Sequence, residues 1–503
     1  MTRTLTLILF VAGTMLMAAA ADAAPLGKES MVLLPVADDP TVSFRIWFKV
    51  GAQNDPAGRE GLASITAEML ADASTKNNSY ETILDKLFPL AAGYNASTSV
   101  EMTVISGRTH RDNLGAYYPL LMDALLRPAF RQEDLERIRS QALNYVENTL
   151  RYASDEELGK AVLYGELFRG TPYAHLQTGT IASLKAITLD DVRTFYKKYY
   201  TRENVIVGLG GGYDEALLAR LQADLATLPA GKPAAVAAPA PSKLGGMKVA
   251  IVEKDAASTA ISMGFPIDVL RGSREWYALA VANSWLGEHR NSSSHLYKVI
   301  REARGLNYGD YSYVENFPNG GARQMPPQNV ARRKQIFEIW IRPVPNETRH
   351  FALRAALREF KTLVEKGMSE EDFQLTRGFL RKYVLHYAPT TSERLGYALD
   401  DRFYGIAGSH LEKFRTMMGE ITREEVNAAI RKHWQYGAMQ IAVVTKDAAA
   451  FKEALVTNAP SPITYSSPKP ESVLAEDKEI VAFPLAIRAG DVKIVPVTEL
   501  FLK

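Results

Sequence analysis

The chain has 503 residues, 47% of them hydrophobic and 23% charged, with a formal net charge of +2. That length exceeds what one hydrophobic core organises and implies several domains, and the composition excludes disorder or a coiled coil as the dominant state. The basic residues are scattered rather than gathered in a stripe, which argues against nucleic acid as a partner, and the absence of cysteine excludes disulfides and thiol chemistry.

Residues 1–23 read as a cleavable signal peptide. Arg3 supplies a positive start, residues 5–16 an apolar run, and Ala21-Asp22-Ala23 a small-x-small cleavage signal. The run is short for a span, no cysteine follows it to carry a lipid, and no later stretch reaches about 18 apolar residues. A periplasmic protein with no stable transmembrane anchor is expected.

A first domain is expected over residues 28–228. A strand from Met31, a turn at Ala37-Asp38-Asp39-Pro40 and an alternating strand over 42–50 come first. A loop over 51–59 leads into a helical pattern over 60–73, and the Thr/Ser/Val-rich stretch 95–107 reads as one further strand. Helices follow over 113–126 and 133–149 with Pro128 as breaker, then another near 156–168. The loop GTPYAHLQTGT precedes a short helix capped by Thr188 and the strand VIVGLG.

Residues 229–246 are rich in Ala and Pro, lack large apolar side chains and read as a semi-extended linker. A second domain over 247–455 repeats the first in order. ISMGFPIDV answers FRIWFKV, GMSEEDFQLTRGFLRKYV answers FRQEDLERIRSQALNYV, and ITREEVNAAIRKHW with IAVVTKD answers ITLDDVRTFYKKYY with VIVGLGGGYD. Several matches in one order indicate a duplicated unit, and strands interspersed with helices predict an α+β fold of two homologous domains, each an antiparallel-rich sheet with packed helices. The loop 314–334, rich in Gly and Pro, is expected to be mobile. The extension 456–503 is expected to lie back on the second domain as edge structure.

The segments VGAQNDPAGREGLA, LLRPAF, TPYAHLQTGTIASLKAITLDDV and SSSHLYKVIREARGLNYGDYS carry a resemblance to the pitrilysin family of zinc metallopeptidases, peptidase family M16, in its short bacterial and processing-peptidase-like branch. The resemblance spans Met31 to about Asp447 and implies two domains arranged as a clamshell. Active members carry Gly-x-Ala-His-x-x-Glu-His on the first helix, where imidazoles at i and i+4 share one face and bind zinc while the glutamate activates water. Here the phrase reads Gly61-Leu62-Ala63-Ser64-Ile65-Thr66-Ala67-Glu68, so Ser64, Ala67 and Glu68 stand at the two imidazole positions and the base position between them. The distal ligand falls near Leu143 or Asn144, with Glu147 a helical turn further on, and the first histidine of the chain is His110. A hydroxyl and one carboxylate do not make a tetrahedral zinc site, so no zinc is expected on this chain and no hydrolysis by it alone.

The resemblance also assigns Arg301 and Tyr308, seven residues apart in REARGLNY, to holding the substrate backbone and the developing oxyanion. The plain reading of these two is a helix-end ion pair with Glu302 and a tyrosine packed at a strand start. Asn95, Ala96, Ser97 and Thr98 match the family's edge strand, which takes up extended peptide by β-addition; a solvent-facing edge is the alternative. Glu68 with Asp72 reads as a carboxylate pair that is solvated or salt-bridged, His289 and His295 as surface polar residues, and His175 as a loop residue that positions backbone. The expected function is the non-catalytic, substrate-orienting subunit of a heteromeric periplasmic zinc peptidase, with zinc and base on a zinc-motif-bearing partner and peptides as substrates. The alternative is a peptide-binding or scaffold protein of the cell envelope. An active peptidase built on an unusual metal site is a third reading.

Overall fold

The computed structural model describes residues 26–503, so the expected signal peptide lies outside the described residues. Two mixed sheets organise the chain. The first contains β1 (Met31–Pro35), β2 (Thr41–Phe48), β3 (Gly93–Thr98), β4 (Thr103–His110) and β5 (Val205–Gly211) in the order β1-β5-β2-β4-β3, with only β1 and β5 parallel. The second contains β6 (Lys248–Glu253), β7 (Ser258–Ile267), β8 (Asp310–Tyr313), β9 (Gln335–Pro345), β10 (Gln440–Thr445) and β11 (Val492–Pro496) in the order β11-β6-β10-β7-β9-β8. Antiparallel pairs predominate in both, as the duplicated α+β reading requires. The repeat extends to the caps: Thr188 accepts from the Asp191 N–H at 3.2 Å, and Thr422 accepts from the Glu425 N–H at 3.3 Å.

In β2 the alternation places Val42, Phe44, Ile46 and Phe48 against a core that includes Leu62, Ile65 and Met69 of α1 (Leu62–Ala71). The opposite face, with Ser43 and Trp47, is buried as well. A strand covered on both faces needs a second layer, and that layer comes from the other half of the chain. The helices concerned are α3 (Asp155–Leu167) in the first half and α4 (Thr391–Tyr404) in the second, whereas α2 (Gln132–Asn144) packs on α1 within its own half. Helix α4 lies across β1, β2 and β5, and Gly208 and Gly210 let it approach: a Cβ on either would already stand 3.3–3.4 Å from Leu395. Reciprocally, α3 seats Leu158, Val162 and Leu163 on Val252, Ala260, Ala442 and Val444 of the second sheet. The far face of that sheet carries Ile251, Ile261, Met263 and Ile339 into its own core. The two domains interlock by exchanging one helix each.

Charged groups pin the exchange. Lys160 of α3 stands 3.6 Å from Glu338 of β9, donates to the Phe317 carbonyl at 3.0 Å, and lies over the rings of Tyr313 and Trp340 at 4.6 and 4.5 Å. Arg342 pairs with Glu156 at 2.7 Å, and Arg333 with Glu101 at 2.6 Å.

Several expectations are corrected. The stretch 95–107 is two strands, β3 and β4, because Ser99 closes a tight turn: its Oγ accepts from the Met102 N–H at 3.1 Å. The helix expected to 149 changes winding after Asn144 and continues as wider π turns over Tyr145–Ala153. An additional helix, Tyr80–Leu87, is capped by Ser79, which accepts from the Thr82 N–H at 3.2 Å. The loop 314–334 is not free: Val314, Phe317, Asn329, Ala331 and Arg332 are buried in the seam, and Asn329 is held by Asp400 and donates to the Gly396 carbonyl. The C-terminal extension does supply edge structure to the second domain, β11 beside β6, and departs from expectation only in its last residues, which cross to the first half, where the Ile181 and Ala182 N–H groups donate to the Phe501 and Leu502 carbonyls at 2.9 and 3.0 Å.

Lys160→Met would leave the Glu338 carboxylate buried without its cation, and a loss of about 3–5 kcal/mol in urea unfolding is expected. The double variant Lys160→Met/Glu338→Met should recover most of it. Equal losses in the single and double variants would remove the ion pair from the account of the interlock.

Candidate functional site

The start of α1 is built by the loop before it. Gly61 adopts φ 94°, and Asp55 accepts from the Gly61 and Ala63 N–H groups at 2.7 Å each, capping α1 with one carboxylate. Gly61 and Gly179 meet so closely that a Cβ on either would strike backbone of the opposing loop. His175, in that opposing loop, lies between the carbonyl oxygens of Leu176 (2.9 Å) and Ala52 (3.0 Å) and ties the two loops together.

On α1, Ser64 Oγ donates to Glu68 Oε1 at 3.3 Å, and Ala67 is fully buried. Glu68 reaches a cavity of about 460 Å³ between the halves. Gln141, Tyr145 and Lys160 also line it from the first half, and Asn319 and Arg332 from the second. Burial, and next the neighbouring Asp72 charge, push the Glu68 carboxyl up to about 7. Burial raises Asp72 as well. The expected solvated pair is thus corrected in part: α1 is packed against β3 and α2, which leaves both residues half-buried.

At the distal positions, Leu143 packs against the core and Asn144 points outward, accepting from Asn148 at 2.8 Å. Glu147 pairs with Lys185 at 3.7 Å. Gln141 and Tyr145 are the groups of this segment that reach the cavity. A hydroxyl, one carboxylate held toward its neutral form, an amide and a phenol do not fit zinc, which takes imidazole, thiolate and ionised carboxylate in a tetrahedron. Among the described residues no group of three His, Asp or Glu side chains could hold a metal ion.

Arg301 and Tyr308 are brought together, the guanidinium carbon 5.8 Å from the ring centroid. Tyr308 is 78% exposed, and Arg301 forms no ion pair among the described residues, with Glu302 or any other acid. The loop around Tyr308 is fixed beneath it. Asn307 donates to Asp310 at 2.8 Å and to the Arg342 carbonyl at 3.1 Å, and it accepts from the Gly309 N–H at 3.1 Å. Neither Arg301 nor Tyr308 lines the cavity that Glu68 reaches.

Asn95, Ala96, Ser97 and Thr98 fall in β3, the edge of the first sheet. Asn95 and Ser97 are exposed, and Ala96 and Thr98 half-buried.

One histidine is corrected. His289 is buried, its ring nitrogens 2.8 Å from the Tyr313 hydroxyl and 2.9 Å from the Arg323 carbonyl, and burial pulls it down to about 4. His295 stacks on Trp285 at 4.3 Å and pairs with Glu359 at 2.7 Å. The sequence reading missed Lys160 and Arg332, because nothing local marks a cation that is matched only by groups from the other half.

Comparison with known proteins agrees in both halves. The profile described as insulinase, peptidase family M16, matches residues 31–176, and the profile described as peptidase M16 inactive domain matches residues 186–379. The chain is 25% identical over 410 residues to a Helicobacter pylori protein named non-peptidase homolog YmxG, covering 79% of this chain and 87% of that one. It is 23% identical over 349 residues to an uncharacterized zinc protease of Streptomyces coelicolor, covering 68% and 71%. A shorter match of 176 residues, 21% identical and covering 35% and 37%, is to the mitochondrial-processing peptidase subunit beta of Dictyostelium discoideum. A crystal structure of a peptidase M16 inactive domain from Pseudomonas fluorescens superposes with a TM-score of 0.72 at 23% identity, covering 83% of this chain and 95% of that one, a likeness of fold.

In the unfolded chain the Glu68 carboxyl ionises near 4.5, and in the folded chain near 7. Between those values the folded state holds a proton that the unfolded state has released, so stability falls as pH rises through the window. The loss is complete above about 7 and amounts to at most about 3 kcal/mol. Glu68→Gln should therefore unfold later than the parent at pH 8 and alike at pH 4. A variant whose stability differs from the parent's by the same amount at both pH values would show that folding leaves the Glu68 carboxyl at its ordinary value.

Proposed function

Because this chain belongs to peptidase family M16, we propose that it is the non-catalytic, substrate-orienting subunit of a heteromeric periplasmic zinc peptidase, presenting Arg301 and Tyr308 while a zinc-motif-bearing partner supplies the metal and the general base. What carries the reading is a contrast within one chain. The positions that would hold zinc and water have lost their chemistry, while a half-buried arginine at the end of the helical turn Tyr297–Glu302 and an exposed tyrosine on the braced loop after it stand side by side without an ion pair among the described residues. A guanidinium and a phenol are donors suited to a peptide carbonyl whose oxygen gains charge during attack. Their outward placement suits delivery to a zinc centre on another chain, which would have to reach across the interface in an interleaved arrangement. Extended peptide is taken up along β3, whose outer edge pairs with no strand among the described residues. The names of two relatives agree with this division of labour, one a non-peptidase homolog and one a subunit of a processing peptidase.

A second reading, a peptide-binding or scaffold protein of the envelope, is favoured by the interlock of α3 and α4. It leaves between the halves a cavity of about 460 Å³, room for a few side chains.

The pure chain should cleave no quenched fluorescent peptide, and cleavage should appear when a zinc-bearing M16 subunit is added. In that mixture Arg301→Ala should lower kcat by about 10²–10³-fold without changing the mass of the complex by light scattering. Undiminished cleavage would remove Arg301 from the chemistry. Separate elution of the two subunits at micromolar concentration would favour the scaffold.

A further inference from the structure

A groove of about 520 Å³ runs along the inner face of the first sheet beside β3. Its position follows from register. Gly93 pairs with Arg108, which pairs with Ser43; Asn95 pairs with Ser106, which pairs with Arg45. Strand alternation puts these six on one face, opposite the face where Phe44, Ile46 and Tyr94 enter the core. Helix α4 covers the part of this face around Trp47 and Gly208 but stops at Ser392, which borders the groove, so the rows nearer Gly93 stay open.

The ionisable residues lining the groove are Arg45, Arg108 and His110, and among the described residues no carboxylate lines it. Arg108 is exposed, donates to the Thr41 hydroxyl at 3.2 Å and forms no ion pair among the described residues. The nearby Asp39 is committed to the Thr41 N–H at 2.9 Å and hydroxyl at 2.7 Å. Arg45, half-buried, donates to neutral partners, the Ser392 carbonyl at 3.1 Å and Asn329 Oδ1 at 2.6 Å; Asp400 and Glu393 act on it only at longer range. His110 stands 3.4 Å from Asp112, which is outside the groove. Two guanidinium groups are therefore the permanent charges lining the hollow, with Asp39 acting on Arg108 from beyond its rim through the shared Thr41 hydroxyl.

Gly93 decides what that field reaches. It lies between Arg108 and the open edge, and a Cβ built on it would meet nothing within 4 Å. An added strand would run about 4.8 Å beyond β3, hence about 10 Å from β4, a gap that an arginine and a glutamate side chain bridge together when no side chain stands between them. We propose that the groove beside β3 recognises an extended peptide segment carrying an acidic side chain, with Arg108 pairing with the acid across Gly93 and Arg45 supplying field from below. This rests on the uptake of peptide along β3 in the proposed function and names what that uptake selects. The backbone of the segment pairs with the free edge, and its alternate side chains face the groove. A carboxylate there gains a charge-assisted hydrogen bond that an amide does not.

The test uses the chain alone and three fluorescein-labelled decapeptides followed by anisotropy. One has glutamate at alternate positions, the second has glutamine in the same places, and the third is the glutamate peptide N-methylated at alternate residues. The glutamate peptide should bind about tenfold more tightly than the glutamine peptide at low salt, with the advantage shrinking at 0.3 M salt. Arg108→Glu should remove or invert the preference, and Arg108→Lys should retain most of it; both should keep the parent's melting temperature. Equal binding of the glutamate and glutamine peptides would overturn acid recognition and leave strand addition standing. Binding of the N-methylated peptide equal to that of the first would overturn the strand mode. Binding of none would overturn both, whereas the role given to Arg301 and Tyr308 is read separately in the mixed-subunit cleavage assay.

Discussion

Along its central strands each sheet has two faces that exclude water, and the helices of its own half cover only one of them. The exchange of α3 for α4 resolves this, and most of the structure depends on it. Val252, Ala260, Ala442 and Val444 find their apolar partners on a helix encoded about ninety residues or more before them in the chain, and Trp47 and Ile206 find theirs near Leu399 on a helix of the second half. Such burial contributes about 25 cal/mol per Å² of apolar surface, and neither domain can recover it without the other. Lys160 marks how closely the exchange is fitted. An ammonium enters the seam because a carboxylate, a carbonyl and two aromatic faces are already placed to receive it.

This interlock also explains why the loop 314–334 and the last residues of the chain sit where they do. Both run along the seam, and both supply backbone carbonyls to the first half: Phe317 to Lys160, and Phe501 and Leu502 to the N–H groups of Ile181 and Ala182. The cavity that Glu68 reaches is what remains after α3, the loop and the helix α1 have packed. It keeps the place of a metallopeptidase centre without its ligands. Ser64 for an imidazole and Ala67 for the base remove donors; the carboxyl that remains, at Glu68, is driven toward its neutral form by burial and by Asp72. Away from this wall, Tyr308 and the alternate residues Gly93, Asn95 and Ser97 along the edge of β3 face solvent.

Much was legible locally. Alternation in TVSFRIWF and STAISMGFPI marked strands, the threonines at 188 and 422 marked helix starts, and the repeated order of segments marked two homologous α+β units, because period, cap and order are properties of short stretches of chain. The loss of the metal site was legible too, since a ligand set is a matter of residue identity at fixed spacing on one helix. The turn at Ser99 was missed because Thr, Ser and Val suit a strand and a tight reversal alike. His289 was misread as a surface residue because its burial comes from Tyr313 and Phe317 and from the Arg323 carbonyl, residues that follow it in sequence but close over it only when the loop is seated.

By itself the sequence determined the element types, the duplication, the family and the absence of zinc ligands on the first helix, all of them local or order-based properties. Only the tertiary structure decided that the halves exchange helices, that Glu68 is half-buried while Tyr308 is exposed, and that Arg45 and Arg108 share one groove with Asn95. Those outcomes depend on which distant surfaces exclude water together, and burial of that kind is set by the pairing of segments tens to hundreds of residues apart rather than by any one of them.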